Sequence, residues 1–351
     1  MKILGIETSC DETAASVVED GKILLSNVIA SSVDLHAAYG GVVPEIAARS
    51  HLESILPVVD EAVKSVGWNK VDAIAVTQGP GLSGSLLIGV MTARTLAITK
   101  QKPLYAIDHV HAHVYAAYIT KTSLPGYKLP AQQPKFPLLA LIVSGGHTQL
   151  VLFKNHLSYT VLGQTADDAV GEAFDKVAKI LGLPYPGGPS VSKAAERGNA
   201  KAVKLPTAKM ENPYDFSFSG LKTAVLRASQ AIVGKDYTLP SYELAGLLSD
   251  SQKNDIAASF QRTALETLIT PARNAVDEFN PADIVVAGGV AANTELRRLL
   301  SKNFGDKVIH TDMKLCTDNA AMIATLGFYK ASLGQPKADP YSLEIDPNLS
   351  M

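Results

Sequence analysis

The chain opens on an apolar run, Lys2–Thr8, which predicts a buried strand, and then turns through Ser9-Cys10-Asp11-Glu12-Thr13. Ala15–Glu19 and Lys22–Ala30 alternate around the Asp20-Gly21 turn, the period of two further strands. Pro44–Val63 changes to helical periodicity. Val71–Thr77 is a short apolar strand ending in Gln78-Gly79-Pro80-Gly81, and a helix of small residues follows over Ser83–Lys100. Leu104–Ile107 predicts a fifth strand and His109–Thr120 a helix. A Pro-rich break, Leu124–Pro137, interrupts the pattern. The plan then repeats, with strands at Leu138–Val143, Gln149–Phe153 and Tyr159–Leu162, intervening helices, and strands at Asp283–Ala287 and Val308–Thr311. The last long helix is Asn319–Ser332, and the polar, Pro-rich end of the chain reads as a tail.

At 351 residues the chain exceeds the size of one hydrophobic core, so two domains are expected. Each half reads as three strands followed by strands alternating with helices, a weak self-similarity of pattern rather than identity. The expected fold class is α/β, with domains at residues 1–123 and 138–335 and a surface tail at 336–351. By analogy, such a pair matches the actin–hexokinase–Hsp70 (ASKHA, RNase H-like) architecture, in which a nucleotide sits in an interdomain cleft.

Composition narrows the class. Apolar residues make up 46% and charged residues 19%, which excludes a disordered chain. The net charge of −2 does not advertise a nucleic-acid binder, so RNA would need a local basic patch or a partner protein. Two cysteines, Cys10 and Cys316, are too few for a disulfide framework and fit a reducing cytosol. No signal peptide is visible, and the longest apolar stretch, Leu86–Ile98, is broken by Arg94 and too short to span a bilayer. A cytoplasmic protein without membrane association is expected.

Asp108-His109-Val110-His111-Ala112-His113 holds three of the eight histidines. On a helix His109 and His113 are i and i+4 and share a face, while His111 points roughly 200° away from His109. Such a pair directly after a buried strand favours a metal site over a surface helix with stray histidines. Val110 stands where a zinc protease has its glutamate, so peptide hydrolysis lacks a general base. Asp318 is the best third ligand, though as a helix N-cap it would have an equally good structural role. Two His and one carboxylate with open positions suit Fe(II) better than a closed zinc site.

Three glycine pairs, Gly145-Gly146, Gly187-Gly188 and Gly288-Gly289, lie at strand or helix ends. Each alone reads as a turn; together in one domain they favour a backbone cradle for a nucleotide. No Walker A lysine loop is present. Asp168, Glu172 and Asp175 share one face of an acidic helix start, where dipole-favourable charge is the simplest account.

Taken in order, these motifs resemble the TsaD family, the threonylcarbamoyl transferases of tRNA, from Lys2 to about Tyr329. The resemblance rests on Glu7–Thr13, Gly40–Glu45, Gln78–Gly81, His109-x-x-x-His113, Val143–Thr148 and Gly171–Lys176. It continues through Tyr185–Pro189, Phe216–Lys222, Ala287–Asn293 and Cys316–Asn319. It implies the actin-like fold and a metal, Fe(2+), one per subunit, held by His109, His113 and Asp318, with zinc or magnesium as substitutes in vitro. It implies that Ile142, Val143, Ser144, Gly145, Gly146, Asp175, Gly188 and Asn293 contact a substrate adenylate. The implied reaction moves a threonylcarbamoyl group from threonylcarbamoyl-AMP to N6 of adenosine 37 in tRNAs that read codons beginning with A. Implied partners are tRNA, a paralogous actin-like (TsaB-like) protein and a small P-loop (TsaE-like) ATPase. Glu12, at the first turn, is the expected acid/base or orienting group.

Three departures stand out. His111 is an extra histidine inside the pair and is expected outside the ligand set. Ser192 stands where many members carry Asp, which touches one nucleoside contact. Gly234–Asp255 looks longer than in compact bacterial members. Lys193, Arg197, Lys201, Lys204 and Lys209 cluster in sequence, as a solvated face or as contacts to RNA phosphates. Rival readings are a sugar or acid kinase of the same fold, which has no use for the His pair, and a small-molecule carbamoyltransferase. A metalloprotease or a non-enzymatic scaffold is the third.

Overall fold

The alternation of the first thirty residues folds as a meander. In the computed structural model, which describes residues 1–351, β1 (Lys2–Glu7), β2 (Glu12–Glu19) and β3 (Ile23–Ser31) are antiparallel neighbours. Every residue of β1 from Ile3 to Glu7 is buried, which is why the strand shows no alternation. After α1 (Val33–Ala37), Pro44 opens α2 (Pro44–Lys64), where its missing N–H leaves no helical bond unmade. β4 (Ala73–Gly79), α3 (Ser83–Lys100), β5 (Leu104–Asp108), α4 (His109–Tyr115) and the two-residue β6 (Lys121–Thr122) follow. The helix expected over His109–Thr120 is shorter, because Ala116–Tyr118 tightens into a 3-10 turn.

This sheet has the order β5-β4-β1-β2-β3-β6, with β4 parallel to β1 and β5 parallel to β4. Three parallel strands therefore deliver their carboxyl ends to one edge, the position where α/β sheets place their chemistry. Ile55, Val59 and Val63 of α2 and Val90, Ala93 and Ala97 of α3 share a core with Leu4, Ile6, Ile74 and Val76.

The second sheet starts with β7 (Leu138–Val143), β8 (Thr148–Asn155) and β9 (Ser158–Gln164), again an antiparallel meander. Helices α5 (Val170–Leu181), α6 (Gly187–Ala195), α7 (Ser219–Ile232), α8 (Ser241–Leu247) and α9 (Asp250–Phe279) precede β10 (Asp283–Ala287), α10 (Thr294–Phe304) and β11 (Val308–His310). The strand order is β11-β10-β7-β8-β9, with β10 parallel to β7. Within the 234–255 stretch, α8 buries Leu244 completely and sets Ala245 against Gly182 at the end of α5. That stretch therefore has a packing role.

Two compact units result: Met1–Lys135 with Ile309–Met351, and Phe136–Val308. The first is discontinuous, which differs from the contiguous 138–335 domain expected from the sequence. The last helix, α11 (Ala320–Ser332), covers the first sheet. Its small residues explain how. A Cβ on Gly5 of β1 would fall on the carbonyl oxygen of Ala320 and 2.7 Å from the amide nitrogen of Ala324, and Gly327 lies against Ala75 and Ile3. Glycine and alanine let helix and strand backbones approach this closely.

The expected surface tail is also tied to the first unit. Ala338 N donates to Leu104 O at 2.8 Å and Asp346 N to Gln78 O at 2.9 Å. Arg94 of α3 donates from Nε to Pro340 O (2.7 Å), from Nη2 to Tyr341 O (2.6 Å) and from Nη1 to Leu343 O (3.3 Å). Leu343 is buried in the core of the unit. Polar side chains hid this attachment, because backbone groups make most of it. No helix is long and apolar enough to cross a membrane.

Candidate functional site

The carboxyl ends of β1 and β5 and the start of α11 meet in the first unit. Asp108 ends β5 and caps α4, its Oδ1 accepting from His111 N at 2.9 Å. The cap fixes the first turn, and the i,i+4 spacing sets the His109 and His113 rings 4.7 Å apart, edge to face. Asp318 arrives from the other end of the chain. Its Oδ1 lies 3.5 Å from His109 Nε2 and 3.4 Å from His113 Nε2. The N-cap role that competed for Asp318 belongs to its neighbour: Asn319 Oδ1 accepts from Met322 N at 3.1 Å. Asp318 is therefore not the cap of α11.

The three donor atoms lie within 4.8 Å of one another. Ligands about 2.0–2.1 Å from a tetrahedral ion are about 3.3 Å apart, close to the separations from Asp318. Both ring nitrogens of His113 are buried and make no hydrogen bond. An imidazole shut away without a partner is costly, and a cation between the rings and the carboxylate would satisfy it. Residues and geometry fit a metal ion. His111, by contrast, packs edge-on against Tyr115 at 5.3 Å and is not in the cluster.

A residue that sequence reasoning missed stands directly behind His109. Glu7 is fully buried, with Oε2 2.9 Å from His109 Nδ1. Thr77 Oγ1 donates to the same oxygen at 2.5 Å, and Ser9 N donates to Oε1 at 2.5 Å. Ser9 Oγ is also 3.1 Å from His109 Nδ1. Burial opposes a charge on His109, yet the carboxylates of Glu7 and Asp318 outweigh it and push the imidazole up to about 9 in the absence of a metal. Burial likewise opposes charge on Glu7, and the adjacent imidazole nevertheless holds it below the ordinary carboxylate value. The available signal was an acidic residue closing an otherwise apolar strand.

Glu12 starts β2. Its Oε1 accepts from Ser31 Oγ at 2.8 Å, and its Oε2 is buried without a partner. Burial pushes its carboxyl up to about 7, with the charges of Asp11 and Asp318 adding to the effect and the Ser31 bond resisting it. Cys10 and Cys316 form no disulfide, and burial raises the thiol of Cys10 far from a nucleophile's range.

The second unit gathers the residues expected to meet an adenylate. Ser144 N donates to His147 O (2.8 Å) and His147 N to Ser144 Oγ (3.0 Å), which closes the turn between β7 and β8. Gly145 and Gly146 take no part in those bonds, and the space beside their Cα atoms is open. The side chains of Ile142 and Val143 are buried in the sheet, so only their backbone is left for a ligand. Gly171, in the first turn of α5, donates to Ser144 O at 3.2 Å. Gly288, at φ 91°, lies against Val143 O, a conformation and a proximity that exclude a side chain.

Asp175 Oδ1 accepts from Gly187 N at 2.7 Å and fixes the start of α6, beside Gly188. Asn293 caps α10 through Leu296 N, and its Nδ2 lies 2.9 Å from both Ser192 Oγ and Gln261 Oε1. A neutral network thus occupies the place where an aspartate was expected at Ser192. Of the acidic helix start, Asp168 and Glu172 both pair with Lys176, as dipole-facing surface charge does. Lys193, Arg197, Lys201, Lys204 and Lys209 are all exposed, on the end of α6 and the segment after it. A separate groove of about 660 Å³ is lined by Lys209, Arg262, Arg273 and Lys302 and by none of the expected adenylate residues.

Residues 23–325 match the family described as TsaD, tRNA N6-adenosine threonylcarbamoyltransferase. A protein of that name from Thermomicrobium roseum is 49% identical, covering 95% of this chain and 93% of its own length. Its namesake from Bacillus subtilis (strain 168) is 46% identical over 100% of this chain and 96% of its own. Among solved structures, HypF from T. kodakarensis aligns with a TM-score of 0.58 at 14% identity, over 97% of this chain and 49% of that one. Component A of (R)-2-hydroxyglutaryl-CoA dehydratase from Acidaminococcus fermentans gives 0.50 at 18% identity, over 95% and 99%. At such identities these two speak for the actin-like ASKHA fold alone.

Proposed function

Because the chain belongs to the tRNA N6-adenosine threonylcarbamoyltransferase family, we propose that it carries out the transfer that family is named for. The donor is threonylcarbamoyl-AMP and the acceptor is N6 of adenosine 37 in tRNAs reading codons that begin with A. The second unit holds the adenylate. Gly145 and Gly146 offer backbone N–H groups to its phosphate, Val143 and Gly288 shape the turn, and Asp175, Gly188 and Asn293 frame the nucleoside. Ile142 and Ser144 anchor the cradle to β7.

The first unit carries the reacting centre. His109, His113 and Asp318 would hold one Fe(2+), with zinc or magnesium replacing it in vitro. When bound, the ion supplies Lewis-acid polarisation of the donor carbonyl and orients it. An adenine amine is a weak nucleophile, since its lone pair is delocalised into the ring. Positioning and proton removal are the help a protein can give. N6 forms a bond to the carbonyl carbon, the carbon–oxygen bond to AMP breaks, and N6 gives up one proton. Glu12, whose carboxyl burial pushes up to about 7, is the group we assign to accept that proton.

Two further elements concern partners and place. Leu52 and Leu56 of α2 and Leu87 and Met91 of α3 are exposed at i,i+4 spacing on helices that pack together. We assign this apolar face to the TsaB-like paralogue, with a TsaE-like P-loop ATPase completing the assembly. The five cations from Lys193 to Lys209 meet tRNA phosphates. The protein works in the cytoplasm.

The observation that carries this reading is the buried His113, whose ring nitrogens make no hydrogen bond, facing Asp318 and His109 in a chain of this family. Mass spectrometry of tRNA from cells depleted of the protein tests it: threonylcarbamoyladenosine at position 37 should fall as the protein does. Unchanged modification, with no second copy of the gene, would sink the proposal.

A further inference from the structure

We propose that Glu7 is a positioning residue that sets the tautomer of His109 and so decides whether this histidine can bind a metal. The inference rests on the reading of His109, His113 and Asp318 as a metal centre. Glu7 lies wholly inside the unit, with three neighbours on its two oxygens. Ser9 N, an obligate donor, is 2.5 Å from Oε1. Thr77 Oγ1 is 2.5 Å and His109 Nδ1 2.9 Å from Oε2. An ionised carboxylate only accepts, so a neutral His109 must carry its proton on Nδ1. Nδ1 therefore keeps its proton, and the one given up when a metal binds is that on Nε2, 3.5 Å from Asp318 Oδ1. Histidines that bind metals commonly give their second N–H to such a carboxylate.

A rival partner makes this more than a packing contact. Ser9 Oγ is 3.1 Å from the same Nδ1, and a hydroxyl is able to donate. If Ser9 donated, the proton would sit on Nε2 and close it to a metal. The Glu7 carboxylate settles the competition.

The isosteric change Glu7→Gln isolates the effect. Ser9 N still needs an acceptor, so the amide oxygen stays at the Oε1 position. The NH2 group then stands where Oε2 was and donates to His109 Nδ1, while the Thr77 hydroxyl turns to accept. Volume is conserved and the tautomer is reversed. An Asp→Asn change behind a catalytic histidine acts in this way.

The experiment measures zinc affinity of the full chain by competition with a chromophoric chelator, for the native protein, Glu7→Gln and His113→Ala. We expect one zinc per native chain, lost in His113→Ala and weakened about 10–100-fold in Glu7→Gln, the usual cost of removing such a support. The thermal midpoint of metal-free Glu7→Gln should stay close to native. A merely structural Glu7 would lower that midpoint and leave zinc affinity intact, which overturns the inference alone. A native chain that binds no zinc, or His113→Ala that still binds it, removes the metal reading and this inference together. A second readout needs no variant: ring 15N–1H correlations of the zinc-loaded native protein should show the His109 proton on Nδ1. A proton found on Nε2 overturns the proposal even if Glu7→Gln fails to fold.

Discussion

Adding a single methyl group at Gly5 should damage both the fold and the proposed metal centre. A Cβ there lands on the backbone of α11, at the carbonyl of Ala320 and 2.7 Å from the nitrogen of Ala324. Backbone atoms of a helix cannot rotate aside as a side chain can, so α11 must lift from the sheet. Overpacking of this kind costs about 1–3 kcal/mol, and the rigid neighbours place Gly5→Ala near about 2–3 kcal/mol. The better strand propensity of alanine returns less than about 1 kcal/mol. In a domain of about 150–250 residues each kcal/mol lowers the midpoint by about 2–4 °C, so the net cost of about 1–3 kcal/mol predicts a fall of roughly 2–12 °C. Asp318 lies two residues before Ala320, and lifting the helix moves it away from His109 and His113. Zinc affinity should therefore fall with stability. Gly145→Ala is the control, since the added Cβ meets nothing within 4 Å. Thermal unfolding and chelator competition on the purified chain measure both effects. A Gly5→Ala midpoint within about 1 °C of native, or a large loss of stability at native zinc affinity, refutes the coupling of helix seat to metal centre.

Other perturbations separate the remaining roles. His113→Ala and Asp318→Ala should each strip the bound metal and lower tRNA modification at least about a hundredfold, whereas His111→Ala should retain a stoichiometric ion, as read by elemental analysis of the purified variants. Because the Glu12 carboxyl sits at about 7 in the folded chain against an ordinary 4.5, its ionisation destabilises the fold as pH rises between those values. Glu12→Gln should thus stabilise the metal-free protein at pH 8 by about 1–2 kcal/mol after solvent screening, with the gain vanishing below about pH 4.5. A gain that grows toward acid pH in urea titrations would contradict this sign. Arg94→Ala removes three charge-assisted bonds to the 340–343 backbone and should cost about 1.5–3 kcal/mol. Limited proteolysis should then nick the segment after Leu333, and full resistance would show that the arginine does not hold it.

Local pattern carried much of this structure. The helix Ser83–Lys100 and the strands Leu138–Val143 and Asp283–Ala287 fall where periodicity put them. The His109–His113 pairing was readable because i,i+4 is a local relation. What stayed hidden was non-local. Glu7 and His109 stand 102 positions apart, and nothing in either neighbourhood announces the other. The small-residue run of α11 marks a helix that something approaches closely, yet a linear pattern does not say which of two sheets it covers. The capping question at Asp318 needed geometry, since one residue of register decides whether Asp318 or Asn319 faces the helix. The tail's attachment went unseen because its polar side chains mask carbonyls gripped by Arg94.

The return of the chain to its first sheet also has a meaning in time. A ribosome releases Glu7, His109 and His113 well before Asp318. Residues 136–308 form a continuous unit and are able to fold during that interval, while β1 waits without the helix that seats on Gly5. A nascent or truncated chain ending before Asp318 owns the histidine pair but not the third donor. The three donors therefore cannot come together until the segment that leads into α11 has emerged.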